Sequence, residues 1–300
     1  MVNIKHLLLA TRPSFLLITI LGCFIGILLP QYDNSSWVLN ALSIAVALAA
    51  HAGANLINDY YDHVNGSDAI NEDRISPFTG GSRFIQDKIV SPSLIIQTAV
   101  FLIVLATALG IYICSITTPL MIPIGVLGVL IAWAYSAPPL QLMSRGLYGE
   151  LAIAVAWSLI IIGFSLLETS RVTLAATLIG LSFGLMVSNI LLVNQVPDIK
   201  ADISVHKYTL ATKYPANTLR NWYTGFYGAA YLLQLFAVIL TTFPGASLIT
   251  VVLIPLFASC SSSFISACTS KTKLKELIIQ NLIGVHLYAA LLCLSLILTN

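Results

Sequence analysis

The sequence predicts an all-α, polytopic membrane protein: one domain, residues 1–300, with nine transmembrane helices. Three observations carry that expectation. The chain is 58% hydrophobic, only 9% charged, and has a mean hydropathy of +0.92, whereas soluble domains carry about 25% charged residues. Apolar stretches of the roughly 20 residues that a bilayer-crossing helix needs recur from end to end. Lys and Arg fall in alternate loops. Backbone groups in lipid must be bonded within the segment, so the stretches are helices, and the absence of period-two alternation argues against a barrel.

Taken in order, the spans are expected near Pro13–Pro30, Trp37–Ile57, Leu94–Ile116, Pro119–Tyr135, Gly149–Leu167, Val172–Gln195, Asn221–Phe243, Ala246–Cys268 and Leu277–Leu298. The first resembles a signal peptide, but no small-residue cleavage site follows it, so it reads as a retained helix. With the N-terminus cytoplasmic, every one of the 14 Lys and Arg residues except Arg171 falls inside. That asymmetry sets the orientation and places the active side on the cytoplasmic face of what reads as a bacterial cytoplasmic membrane. Cys23, Cys114, Cys260, Cys268 and Cys293 lie in or beside spans without a C-x-x-C, as packing residues do. A net charge of +2 gives no reason to expect a nucleic-acid partner; lipid is the surrounding partner.

Two inner loops stand apart, from Asn58 to about Ser93 and from Pro197 to about Arg220. They hold Asp59, Asp62, Asp68, Glu72, Asp73, Asp87, Asp198 and Asp202, eight of the 12 acidic residues. Asn55, Asp59 and Asp62 follow the second span, and Asn194, Asp198 and Asp202 follow the sixth, at spacings of three or four. Side chains so spaced share a helix face, so each helix carries a column of oxygen ligands at its end. Pro197 interrupts the second column and breaks or kinks the helix there.

Carboxylates crowded together raise one another's pKa, and a hard divalent cation removes the conflict. Mg²⁺ takes one or two carboxylates, keeps waters and bridges to substrate phosphates, so two facing clusters suit metal ions holding one diphosphate. Solvated turn and cap residues are the alternative for either cluster alone. "SPFTGGSRF" adds Gly80, Gly81 and Arg83, "HKYTL" adds Lys207, and "YSAPPLQLMSR" adds Tyr135, Ser136 and Arg145. Each basic residue taken singly also serves as a topology marker.

"NDYYD" (Asn58 to Asp62) resembles the N-D-x-x-D motif of the UbiA superfamily of intramembrane prenyltransferases, and "DIKAD" (Asp198 to Asp202) resembles its second, D-x-x-x-D motif. "ANLINDYYDHVNGSD", "TGGSR", "NQVPDIKAD" and "KYTLA" are most similar to the menaquinone branch, the 1,4-dihydroxy-2-naphthoate polyprenyltransferases. The resemblance implies nine helices around a central cavity under a cytoplasmic cap. It also implies Mg²⁺-dependent transfer of a polyprenyl group from an allylic diphosphate to an aromatic acceptor, in this branch with loss of CO₂. By motif match it makes Asn58, Asp59, Asp62, Asp198 and Asp202 metal-binding and catalytic, with Asn55 and Asp68 in support. Arg83, Lys207 and Arg145 would hold diphosphate. "TRPSFL" resembles the family's R-P entry to the first helix, so Arg12 either orients the acidic acceptor or anchors the interface.

The sequence departs from the branch where G-K-R-T-L is usual: here stand His206, Lys207, Tyr208, Thr209 and Leu210, which opens the acceptor and the prenyl length to question. Hydroxybenzoate, homogentisate, haem or a lipid are alternative acceptors, and prenyl cyclisation is an alternative outcome. A secondary transporter is the rival of another class; acids gathered at helix ends rather than helix middles argue against it. His51, one turn before Asn55, reads as a packing histidine or a cavity-lining one. Trp133, Tyr135, Trp157 and Tyr227 read as interface or core aromatics, or as walls for an isoprenoid.

Overall fold

The computed structural model describes residues 4–29 and 36–299. The expected end of the first span at Pro30 and most of the first outer loop lie outside the described residues. The chain is built of α1 (Ile4–Ala10), α2 (Pro13–Leu28), α3 (Trp37–Asn65), α4 (Ser67–Ile70), α5 (Pro92–Ile116), α6 (Met121–Ala134), α7 (Tyr148–Thr169), α8 (Leu174–Gln195), α9 (Ile199–Ser204), α10 (Leu210–Lys213), α11 (Ala216–Leu240), α12 (Ile254–Ala267) and α13 (Lys271–Thr299). Among the described residues the only strands are β1 (Arg145–Gly146) and β2 (Tyr208–Thr209), which pair in parallel.

Seven helical segments are long and apolar enough to cross a membrane, or eight when the bent pair α1–α2 counts as one. The one expected span left over, Pro119–Tyr135, is α6, and its 14 residues reach only about 21 Å at 1.5 Å per residue, short of a core near 30 Å. Tyr135 is followed by the Pro138–Pro139 segment, which cannot continue a helix. The expected start of the seventh span moves from Asn221 back to Ala216, after Pro215. The eighth span begins as a 3₁₀ stretch, Gly245–Leu253, before α12.

Local chemistry fixes the ends that matter. Pro13 opens α2 and disfavours helical backbone at the residue before it. Arg12 sits outside the helix at φ 55, in the left-handed region, and α1 and α2 meet at 59°. α3 runs past the expected boundary at Ile57 and stops at Gly66, whose φ of 87 is the left-handed cap that glycine supplies. Pro197 tightens α8 into one 3₁₀ turn, Val196–Asp198, and α9 continues from it.

The largest core cluster lies among α2, α7, α8, α11, α12 and α13, and a second joins α3 to α5. α7 and α8 come together closely because Gly180 and Gly184 face the backbone of Ser158 and Ala154 with no room for a Cβ. Small residues do this between helices in lipid, where no hydrophobic force separates helix from tail. Buried hydroxyls and amides pair across helices: Ser182 Oγ with Tyr288 Oη at 2.7 Å, Tyr288 Oη to Gln234 Oε1 at 3.0 Å, and Tyr223 Oη to Asn281 Oδ1 at 3.0 Å. The contacts of Arg12, Asp62, Asp73 and Glu72 with α3, Lys207, Lys200 and Lys271 bring the Lys- and Arg-bearing loops to one end of the bundle.

Candidate active site

At that end the two aspartate columns meet. α3 stays helical through Asp62, so Asn55, Asn58, Asp59 and Asp62 leave one face of it. The 3₁₀ turn after α8 and the short α9 present Asp198 and Asp202 toward that face. Lys207 links the two motifs: its Nζ lies 2.9 Å from Asp62 Oδ1 and 3.5 Å from Asp202 Oδ1. Arg12, at the bend between α1 and α2, forms an ion pair with Asp59 and donates to Asn58 Oδ1 at 3.1 Å. Asn58 in turn donates to Asp62 Oδ2 at 2.9 Å.

The loop from Asn71 to Arg83 closes the cluster from above. Asn71 donates to Asp198 Oδ1 at 2.6 Å. The Ser82 amide donates to Asp59 at 3.2 Å, and Arg83 donates to the carbonyl of Asp68. Gly81 has φ 70, and a Cβ there would strike the Asp68 carboxylate and crowd Asp59 Oδ1 at 3.3 Å. The loop can lie this close only because residue 81 has no side chain.

The balance of charge is negative. Five carboxylates (Asp59, Asp62, Asp68, Asp198, Asp202) face Arg12, Lys207 and Arg83, an excess of two (five minus three) when all are ionised. Burial, and then Asp62 and Asp59, push Asp68 up to about 7. Burial alone would lower Lys207, but Asp62 and Asp202 outweigh it and hold the ammonium above its ordinary range. Buried carboxylates in this excess are costly unless a cation completes the set.

The donor set fits a hard divalent cation: carboxylate oxygens, the Asn58 amide, and a glycine where the backbone must come near. Among the described residues no three His, Cys, Asp or Glu side chains close around one point as they stand; Arg12, Lys207 and Asn71 hold the carboxylates instead. Arg12 Nε, Arg83 Nε and Ser82 Oγ are buried donors without a protein partner, and such groups cost free energy unless an acceptor meets them. An anion with several oxygens supplies that acceptor.

Not every expected residue joins the cluster. Arg145 is exposed and donates to the Pro139 carbonyl at 2.8 Å. Asn55 spends its amide nitrogen on the Thr11 carbonyl at 2.9 Å, tying α3 to the bend at Arg12. Tyr135 lies within electrostatic reach of Lys207, Asp62 and Arg12. His206 and Tyr208, the departures from the branch pattern, both point outward. Lys207, immediately before β2, enters the site while its exposed neighbours leave it. His206 stands at φ 57, which suits the glycine usual there. Sequence reasoning missed Asn71 and Ser82. No spacing reveals them, because they arrive on irregular backbone.

Comparison with known proteins gives a consistent set. The model of the UbiA prenyltransferase family matches residues 16–283. A protein of Mycobacterium leprae named 1,4-dihydroxy-2-naphthoate octaprenyltransferase is 26% identical over 217 residues, covering 72% of this chain and 71% of that protein. The Bacillus subtilis protein of the same name is 27% identical over 203 residues, with 67% and 63% covered. Among solved structures, a UbiA homologue of Archaeoglobus fulgidus bound to DMAPP and Mg²⁺ superposes with a TM-score of 0.67 at 13% identity. That match covers 95% of this chain and 99% of the other.

Proposed function

This chain belongs to the UbiA prenyltransferase family and is an integral membrane prenyltransferase; on that premise we propose that it transfers a polyprenyl group, in a Mg²⁺-dependent reaction, from an allylic diphosphate to 1,4-dihydroxy-2-naphthoate with loss of CO₂. The single observation that carries the site is the joining of both aspartate motifs by Lys207, with buried unpaired donors around them. The acceptor assignment leans on relatives that bear that name at modest identity.

In this reading Asp59, Asp62, Asp68, Asp198 and Asp202, with the Asn58 amide oxygen and Asn55 in support, hold the metal. When bound, Mg²⁺ neutralises charge on the departing diphosphate. Lys207, Arg83 and the Ser82 hydroxyl take the remaining diphosphate oxygens, preorganised donors aimed where negative charge grows. Arg145 stands further out and belongs to the entrance. Arg12 orients the acceptor carboxylate, and Tyr135 lines the space between acceptor and diphosphate. Apolar walls below the cluster keep water from the allylic carbon. The basic end is the cytoplasmic face of a bacterial membrane, with the short α6 counted as a crossing to make nine in a single domain, residues 1–300.

The test is a product assay in lipid or detergent with Mg²⁺, allylic diphosphates of several lengths and a panel of aromatic acids, read by mass spectrometry. A prenylated, decarboxylated naphthoate is the expected product. Product only with another acceptor removes the naphthoate assignment, and no transfer to any acceptor removes the aromatic-acceptor reading altogether.

A further inference from the structure

His51 lies on α3 one turn before Asn55. It faces the bundle interior, where its Nδ1 meets Thr19 Oγ1 of α2 at 2.8 Å. Its ring meets Trp157 of α7 edge-on, with centroids 5.1 Å apart and planes at 84°. A histidine that only packs has both nitrogens engaged or its ring enclosed. Here the side chain keeps accessible surface although it points between helices, and among the described residues Nε2 makes no hydrogen bond. Trp157 Nε1, on the ring packed against His51, is buried and unpartnered, and so is Arg12 Nε. Arg12 lies within electrostatic reach of His51.

We propose that His51 is an acceptor-binding residue, whose Nε2 hydrogen-bonds a ring hydroxyl of the aromatic acid whose carboxylate Arg12 holds. The inference rests on the prenyl-transfer reading above and adds a second pole to its acceptor site. A polyprenyl tail does not explain these groups, because it offers no hydrogen bond and would leave the imidazole and indole nitrogens unpaired. Thr19 fixes the ring through Nδ1 and so aims Nε2, as a second partner does for any working histidine. Asp59, the ion-pair partner of Arg12, follows His51 by eight residues on the same helix, which sets the two poles of the acceptor site about two turns of α3 apart.

The experiment is steady-state kinetics of purified full-length protein in lipid with Mg²⁺, comparing an accepted hydroxy acid with its O-methyl analogue. Wild type, His51→Leu, His51→Gln and Thr19→Val are compared, with thermal unfolding as the check on folding. His51→Leu is expected to raise the acceptor KM about tenfold to a hundredfold and leave the diphosphate KM unchanged. It should also lose the preference of the wild type for hydroxyl over methoxyl, and His51→Gln should restore part of that preference. An acceptor KM that stays at the wild-type value, a change in both substrates' KM together, or an intact hydroxyl preference in a folded His51→Leu overturns the proposal while prenyl transfer stands. A wild type that prenylates no hydroxylated acid overturns the transfer reading and this inference together.

Discussion

Lys207 Nζ stands 2.9 Å from Asp62 Oδ1 across 145 residues of chain, and 3.5 Å from Asp202 Oδ1. One ammonium therefore touches the first motif and the second, and the two helix ends act as a single charged surface. Removing Lys207 leaves buried carboxylates facing each other, a change costing several kcal/mol in buried sites. Lys207→Met is expected to raise the diphosphate KM more than tenfold and to lower the unfolding temperature. Mg²⁺ should restore part of the stability and little of the activity. Kinetics and thermal unfolding with and without Mg²⁺ check both halves.

Asp59→Ala and Asp198→Ala are each expected to abolish transfer, with a loss of at least a hundredfold, as when charged groups aimed at the reacting centre are removed. Both proteins should remain folded, because the core clusters lie elsewhere in the bundle. Transfer by both variants at near wild-type rate contradicts the site.

Metal binding should depend on pH with a definite sign. Burial, and then Asp62 and Asp59, raise Asp68 from its ordinary value to about 7. The carboxyl is mostly protonated at pH 6 and mostly ionised at pH 8. A ligand must lose its proton to bind a metal, so the apparent affinity for Mg²⁺ should tighten as pH rises from 6 to 8. Without metal the raised value means the opposite for folding: the folded chain holds the proton more tightly, and that contribution to stability fades as pH rises through 7. In Asp68→Asn the Mg²⁺ affinity should be weaker and the pH slope flatter. Titration of Mg²⁺ at several pH values reads both.

Gly81→Ala sets a methyl group against the Asp68 carboxylate at a backbone angle that side chains resist. It should reduce transfer at least tenfold. Gly228→Ala, where nothing lies within 4 Å of an added Cβ, should leave transfer within about twofold, as uncrowded surface substitutions do. Parallel assays of the two variants separate local crowding from a general effect of alanine.

His206→Gly with Tyr208→Arg restores the branch pattern at two outward-facing positions. Because neither side chain enters the site, acceptor choice and KM should change by no more than about twofold. A switch of acceptor in that double variant contradicts the outward placement of residues 206 and 208.

Much of the site was legible because it is written as periodicity. Asn58, Asp59 and Asp62 share a face by spacing alone, and α3 extends far enough to keep it. The break at Pro197 and the one-ended basic loops follow from the missing donor and from lipid energetics. Other parts have no such signature. Asn71 and Ser82 are delivered by irregular backbone around Gly80 and Gly81, and Arg145 is turned away because β1 pairs with β2 at Tyr208. The bend at Arg12 was readable in Pro13, yet its consequence, an arginine set against Asp59, needed the packing of α2 on α3. α6 reads as a full span by hydropathy, but its helix ends short where the Pro138–Pro139 segment begins.

The central claim is that both aspartate motifs build one metal-dependent diphosphate site. It is tested most directly by calorimetric binding of a non-ionisable prenyl diphosphate analogue to wild type, Asp59→Asn, Asp198→Asn and the double variant, with Mg²⁺ and with chelator. Binding that needs Mg²⁺, is lost in either single variant, and is no worse in the double variant is the predicted result. Binding that survives chelator, or that responds to one motif and ignores the other, contradicts it.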